Sequence, residues 1–224
     1  MYFQFLIEDR SSEILIHHLM NKLKERYCEK EMEYDTKSFK GIGHLKTTGN
    51  LLERKTGNLL NDLGMYLRAF DKKLSSLRNS AIVIVLDNDL RDTNTFKKEL
   101  ELLAKKNLTV TDHIFSIAVK EIEAWLLGDV NAIESAYPKI KKSALRYYVQ
   151  DGLVDTWETL ANAVYPGGLK GLRKKAGDSY SEIGRTKMEW ADRIGRFMDL
   201  EHNSSPSFQY FINNLRDRIS HEKE

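Results

Sequence analysis

Residues 81–92, AIVIVLDNDLRD, decide the fold. Ile82, Val83, Ile84, Val85 and Leu86 make an apolar run far too short to cross a bilayer and too β-branched for a comfortable helix. The run therefore reads as a central strand covered on both faces. Asp87 and Asp89 stand where that strand ends. In open α/β sheets the carboxyl ends of parallel strands are where ligands bind, so these acids occupy a suggestive place before any chemistry is considered.

Working outward, YFQFLIE at residues 2–8 is a second strand, ending in Glu8 and Asp9. Ser11 and Ser12 offer an N-cap for a helix to about Lys30, with Leu15, Leu19 and Leu23 on one stripe. A weaker strand is expected over 32–39, followed by the glycine-bearing loop KGIGHLKTTGN and a long amphipathic helix over 51–77. Thr93 can cap the helix NTFKKELELLAKK, after which DHIFSIAV is one more buried strand running into KEIEAWLLGD. Strands alternating with helices of this length imply an α/β fold with a mostly parallel, doubly wound sheet over residues 1–130. Residues 131–224 lack a convincing strand and read as a helical C-terminal subdomain packed on that sheet. Its last helix is expected to open with Ser205 as N-cap and Pro206 as first residue, with Phe208, Phe211, Ile212, Leu215 and Ile219 at helical spacing.

Composition bounds the rest. With 224 residues, 41% of them hydrophobic, the chain can bury one core but not two large ones. A formal charge of +2 is no footprint of a histone-like binder, so nucleic-acid contact must come from local patches. The single cysteine, Cys28, excludes an internal disulfide framework and any multi-cysteine zinc site. No apolar run approaches bilayer length and the N-terminus turns acidic too soon for a signal peptide, so a cytoplasmic setting is expected, with no membrane partner.

Three strand ends carry carboxylates: Glu8 and Asp9, Asp87 and Asp89, and Glu121 and Glu123. Hard cations such as Mg²⁺ take oxygen ligands, so acids converging from neighbouring strands suit Mg²⁺ or Mn²⁺. Alternation along an extended strand end would put Asp87 and Asp89 on one side and Asn88 opposite. Asp and Asn after strands also cap turns, which is the plainer role. Glu121 and Glu123 share a face if the strand continues; if a helix has begun, only one reaches the site, and Glu123 is the preferred one.

The pairing of FLIED with a later hydrophobic strand ending in LDND resembles the TOPRIM domain of topoisomerases, primases and related nucleases. IFSIAVKEIEAWLLGD, LANAVYPGGLKGL and TKMEWADRIGRFMDLEHNSSPSFQYF resemble more closely a TOPRIM-like bacterial family called domain of unknown function 4276, over almost the whole chain. The resemblance implies that Glu8, Asp87 and Asp89 are catalytic and hold Mg²⁺ or Mn²⁺, with Glu123 as a further ligand. It also implies phosphodiester chemistry on DNA or RNA, and a partner ATPase such as phage-defence nucleases employ. Asp9 stands where such domains usually carry glycine, and Ser12 followed by Glu13 stands where they place a second acid.

A basic stretch supports nucleic-acid contact. Lys139, Lys141, Lys142, Arg146, Lys170, Arg173, Lys174 and Lys175 outnumber Asp151, Asp155 and Glu158 over residues 139–175, with Tyr147, Tyr148 and Tyr165 nearby for stacking. Of these cations Lys141, Lys142, Arg146, Lys170, Arg173, Lys174 and Lys175 are the candidate contacts. His44 lies in a glycine-flanked loop, and His17, His18 and His113 lack metal-ligand spacing. The expected function is a metal-dependent nuclease. Two alternatives remain: a metal-nucleotide-binding transferase using LDND, and a non-catalytic binding module of a defence or toxin-antitoxin-like system.

Overall fold

The computed structural model describes residues 1–45, 56–152, 155–177 and 179–220. Four strands, β1 (Tyr2–Ile7), β2 (Glu33–Ser38), β3 (Ser80–Asp87) and β4 (Asp112–Ala118), form an all-parallel sheet in the order β2-β1-β3-β4. The connecting helices are α1 (Arg10–Arg26), α2 (Leu59–Leu74) and α3 (Thr93–Asn107). The C-terminal part contributes α4 (Glu123–Leu127), α5 (Val130–Ala136), a 3₁₀ turn (Lys142–Leu145), α6 (Thr156–Val164), α7 (Gly168–Ala176), α8 (Tyr180–Gly195) and α9 (Pro206–Ser220).

Period-two alternation divides the strands between two cores. Phe3, Phe5, Ile7, Ala81, Val83 and Val85 pack on one face with Leu15 and Leu19 of α1, Trp125 of α4 and Phe208 and Phe211 of α9. Leu6, Ile82, Ile84 and Leu86 pack on the other face with Leu63 and Leu67 of α2 and Phe96 and Leu100 of α3. Covering on both faces is why β3 reads as an unbroken apolar run, and its residues from Ser80 to Leu86 are all buried. The helices after Val130 join the first of these cores, so their apolar stripes close over the α1 face of the sheet.

Two helix starts differ from the sequence expectation. Asp9 rather than Ser11 or Ser12 caps α1, accepting from the Ser12 amide at 2.8 Å. Asp92 rather than Thr93 caps α3, accepting from the Thr95 amide at 2.8 Å. In both cases a carboxylate competes better than a hydroxyl for free amides at the positive end of a helix. The helix expected over 51–77 is observed as α2 from Leu59, its predicted opening at 51–55 lying outside the described residues. Ser205 caps α9 as its spacing indicates, its hydroxyl accepting from the Phe208 amide at 3.2 Å.

Asp71 of α2 ties the turn before β4 to the sheet. It accepts from the Thr109 amide at 2.9 Å, the Thr109 hydroxyl at 2.6 Å and the Thr111 amide at 2.9 Å. Burial alone would raise its pKa, but these hydrogen bonds hold the carboxyl well below the usual carboxylate range. Asp71→Asn is expected to cost about 2–3 kcal/mol, because it loses charge-assisted bonds and leaves amides unmatched. Urea unfolding at neutral pH measures this. The deficit should begin to shrink as pH falls below the ordinary aspartate range and vanish only once the folded carboxyl, held well below that range, is protonated too.

Candidate functional site

The strand order places a crevice between β1 and β3. The connections after these two strands go to opposite faces, α1 to one and α3 to the other, so their carboxyl ends part at the switch point where such sheets take ligands. Glu8 follows β1 and Asp87 ends β3. They meet directly, for the Asp87 amide donates to Glu8 Oε2 at 2.9 Å.

The loops that follow are interlocked by Asn88, which is fully buried. Its Oδ1 accepts from the Lys120 amide at 2.6 Å, and its Nδ2 donates to the Thr93 hydroxyl at 2.7 Å and the Arg91 carbonyl at 3.1 Å. The Asp89 amide in turn donates to the Lys120 carbonyl at 3.1 Å. Asp89 and Lys120 both adopt left-handed backbone, with φ of 52° and 69°. Such conformations cost of order 1 kcal/mol or more at non-glycine residues and persist where the surroundings enforce them. Because the strand stops at Asp87, alternation does not govern Asp89, which is half exposed and pairs with Arg91 at 3.0 Å.

After β4 the chain enters α4, and both glutamates of the KEIEAWLL element reach one lysine. Lys187 of α8 lies 3.1 Å from Glu123 and 3.6 Å from Glu121, with only 18% of its side chain exposed. Glu121 also accepts from the Thr156 hydroxyl at 2.7 Å. Glu123 is 1% exposed, and its Oε1 has no hydrogen-bond partner among the described residues. The same is true of the buried hydroxyl of Tyr148, whose pKa burial and the charges of Asp151, Glu121 and Glu123 push up, leaving it a firm proton donor.

The electrostatics show how close the acids stand. Burial raises Glu8 to about 8, with Asp9 and Asp89 adding to the rise and the Asp87 amide and Lys187 opposing it. Burial, then Glu8, Asp9 and Glu123, raise Asp87 well above the ordinary aspartate value. Glu123 is raised to about 7 because burial outweighs the nearby ammonium. Burial works against the charge of Lys187, yet Glu123, Glu121 and Asp87 raise its pKa far above that of a free lysine, so it stays protonated.

These shifts make stability pH-dependent. A folded carboxyl that titrates near 8 keeps its proton where the unfolded one, near 4.5, has lost it. The folded state then binds more protons across that window, and stability falls as pH rises through it. In EDTA the protein is expected to lose a few kcal/mol, on the order of 2–4, between pH 5 and 8, and Glu8→Gln to flatten that slope. Urea midpoints at the two pH values measure it, and a slope unchanged by Glu8→Gln would refute the assignment. Acids with lowered pKa, such as Asp71 and Glu13, act below this window.

Do these groups suit a divalent cation? The donors are hard oxygens, burial and then neighbouring carboxylates raise their affinity for positive charge, and one buried carboxylate oxygen is unpartnered, so kind and charge fit. Among the described residues no three His, Cys, Asp or Glu side chains are gathered as a ready metal-holding group, so a cation would have to draw them together by side-chain rotation. Glu13 is not available to it. Its carboxylate accepts from Thr36 Oγ1 at 2.7 Å and Ser38 Oγ at 2.8 Å and pairs with Arg10, which fastens α1 to β2.

The seven candidate basic residues are all exposed. Lys170, Arg173, Lys174 and Lys175 lie on α7, while Lys141, Lys142 and Arg146 bracket the 3₁₀ turn. Lys142 pairs with Glu134 at 2.6 Å and Lys175 with Glu182 at 2.8 Å. Arg173 lies 4.0 Å from Glu158 and 5.9 Å from the Trp157 ring centre, and Trp157 follows the Thr156 that bonds Glu121. The basic helix therefore borders the acidic crevice. His17, His18 and His113 are engaged by Tyr34, Asp192 and Glu101 at 2.9, 3.0 and 2.9 Å, and His44 is exposed. A surface groove of about 1140 Å³ lies between α3 and the start of β4, at the opposite end of the sheet from the acids.

Sequence reasoning missed Lys187 and the interlock made by Asn88. Lys187 had a signal: it stands at a core position of the α8 stripe formed by Ile183, Trp190 and Ile194, where a lysine requires a buried partner. Asn88, between two aspartates, had none. Among the described residues no helix is long and apolar enough to cross a membrane. No curated protein and no solved structure matches the chain. Residues 7–216 match the family described as domain of unknown function (DUF4276), a span that runs from the last residue of β1 into α9 and takes in the acidic crevice and the basic helix, and the chain belongs to that family.

Proposed function

We propose that the protein is a Mg²⁺- or Mn²⁺-dependent phosphodiesterase acting on nucleic acid, with its centre at the β1/β3 switch point. The observation that carries this reading is the meeting of Glu8 with the end of β3, its Oε2 2.9 Å from the Asp87 amide, beside the buried and unpartnered Glu123 oxygen, with a basic helix at the rim. Surplus buried negative charge is costly to a fold unless a cation or protons offset it.

Asp87, Asp89 and Glu8 would hold the cation, with Glu123 or Asp9 completing its shell. Bound there, it would supply positive charge against the phosphate and make water a better nucleophile. Among the described residues Glu8 is engaged through Oε2, by the Asp87 amide, which leaves Oε1 as the oxygen suited to move a proton. Lys187 brings a permanent ammonium to the same crevice, able to face charge developing on a phosphoryl group. The cations of α7 and the 3₁₀ turn hold the flanking phosphates without regard to sequence.

The test is cleavage of plasmid DNA and of RNA by purified protein with Mg²⁺ or Mn²⁺, against an EDTA control. Metal-dependent cutting is expected. Folded, cation-binding protein that cuts neither would favour the non-catalytic binding module instead.

A further inference from the structure

Two exposed aromatic rings stand on elements that adjoin the acidic crevice. Tyr147 is 84% exposed and Tyr180 is 88% exposed. Scattered exposed rings are ordinary on protein surfaces, so position is what matters. Tyr147 follows the 3₁₀ turn, which packs on α6, the helix whose Thr156 hydroxyl bonds Glu121. Tyr180 begins α8 seven residues before Lys187, which places it on the same helical face about 10 Å along the axis.

Between Tyr180 and Lys187 that face carries Ile183 and Gly184. Gly184 lies four residues after one and three before the other, and a Cβ built there would meet nothing within 4 Å. Glycine inside a helix costs about 0.5–1 kcal/mol relative to alanine, and no neighbouring atom requires it here. The helix therefore carries no side chain at Gly184, between the exposed ring and the buried ammonium. Cations stand beside both rings: the Arg146 guanidinium lies 5.6 Å from the Tyr147 ring centre, and Lys175 of α7 reaches Glu182, which follows Tyr180 on the first turn of α8.

Rings beside phosphate-binding cations engage bases only where the base faces are open, which a duplex does not offer. Grooves that combine cationic tracking of the backbone with aromatic platforms belong to proteins that hold single strands. We infer that the substrate of this site is single-stranded nucleic acid, with unpaired bases stacked on Tyr147 and Tyr180 and phosphates held by Arg146 and the last turn of α7. The inference rests on the phosphodiesterase reading for the site's purpose, yet binding can be tested without cleavage.

The experiment is fluorescence anisotropy of the full chain in EDTA with a labelled single-stranded DNA, the same sequence as RNA, and the DNA duplex. Wild-type protein is expected to prefer at least one of the single strands to the duplex by about tenfold or more. Tyr147→Ala and Tyr180→Ala should each weaken single-strand binding by about 5- to 150-fold, leave duplex binding unchanged, and be rescued by phenylalanine. Both positions are exposed, so the variants should fold. Equal affinity for duplex and single strands, or single-strand affinity untouched by both alanine variants, would overturn the inference. Tyrosine-dependent single-strand binding by protein that never cuts with Mg²⁺ would support it while refuting the phosphodiesterase reading; duplex cutting indifferent to both tyrosines would do the reverse.

Discussion

Asp87→Asn protein is expected to fold, to bind nucleic acid, and to lose metal-dependent cleavage by about three orders of magnitude, the loss appropriate to removing several kcal/mol of stabilisation from the transition state. Asp87 is the residue whose replacement should cost most, because it ends the central strand at the switch point and its pKa is raised, after burial itself, by Glu8, Asp9 and Glu123. The substitution removes a charge from a crowded acidic crevice, so metal-free stability should be unchanged or higher at pH 8. Initial cleavage rates and urea midpoints, read on the same preparations, separate the two effects. Retained cleavage in Asp87→Asn, with Asp89→Asn equally active, would remove the crevice as the catalytic centre. A large loss of stability at pH 8 would contradict the surplus-charge account.

Lys187→Met should be the most destabilising single change in the site. The ammonium is mostly buried and lies 3.1 Å from Glu123 and 3.6 Å from Glu121. Removing one partner from such an arrangement leaves uncompensated buried charge, at a cost of about 3–5 kcal/mol. Glu123, already raised to about 7, should relieve part of that cost by taking a proton as pH falls from 8 to 6. A second variant, Lys187→Met with Glu123→Gln, removes the charge that was left behind and should recover most of the loss. Urea unfolding of the wild type, both single variants and the double variant gives the coupling between the two residues. Additive losses would mean that Lys187 is held by packing alone and that its charge has no special relation to the acids.

Much of this architecture was legible in the order of residues. The unbroken run ending at Asp87, the FLIED strand before it and the alternation with amphipathic helices specify a parallel sheet covered on both faces, because only a doubly buried strand is apolar at every position. That connectivity also put Glu8, Asp87 and the glutamates after β4 at one end of one sheet, since parallel strands all finish on the same side. Sequence spacing likewise identified α9 and its Ser205 cap, as capping is a local event between neighbouring residues.

What spacing could not decide was set by contacts between residues distant in the chain. Asp89 leaves the strand for a left-handed turn because Asn88 and Lys120 grip each other across two loops more than thirty residues apart. Glu13 serves β2 rather than the crevice because Thr36 and Ser38 meet it from another strand. Lys187 enters the acidic crevice from a helix sixty-four residues beyond Glu123, a proximity created only when α8 packs against α1 and α4. Periodicity and capping report the forces a residue feels from its near neighbours, and from these the sequence by itself determined the sheet and the end of it that carries the acids. Desolvation and Coulomb interactions depend on distance in space, so which acids crowd together, and which cation balances them, was decided by the tertiary structure alone.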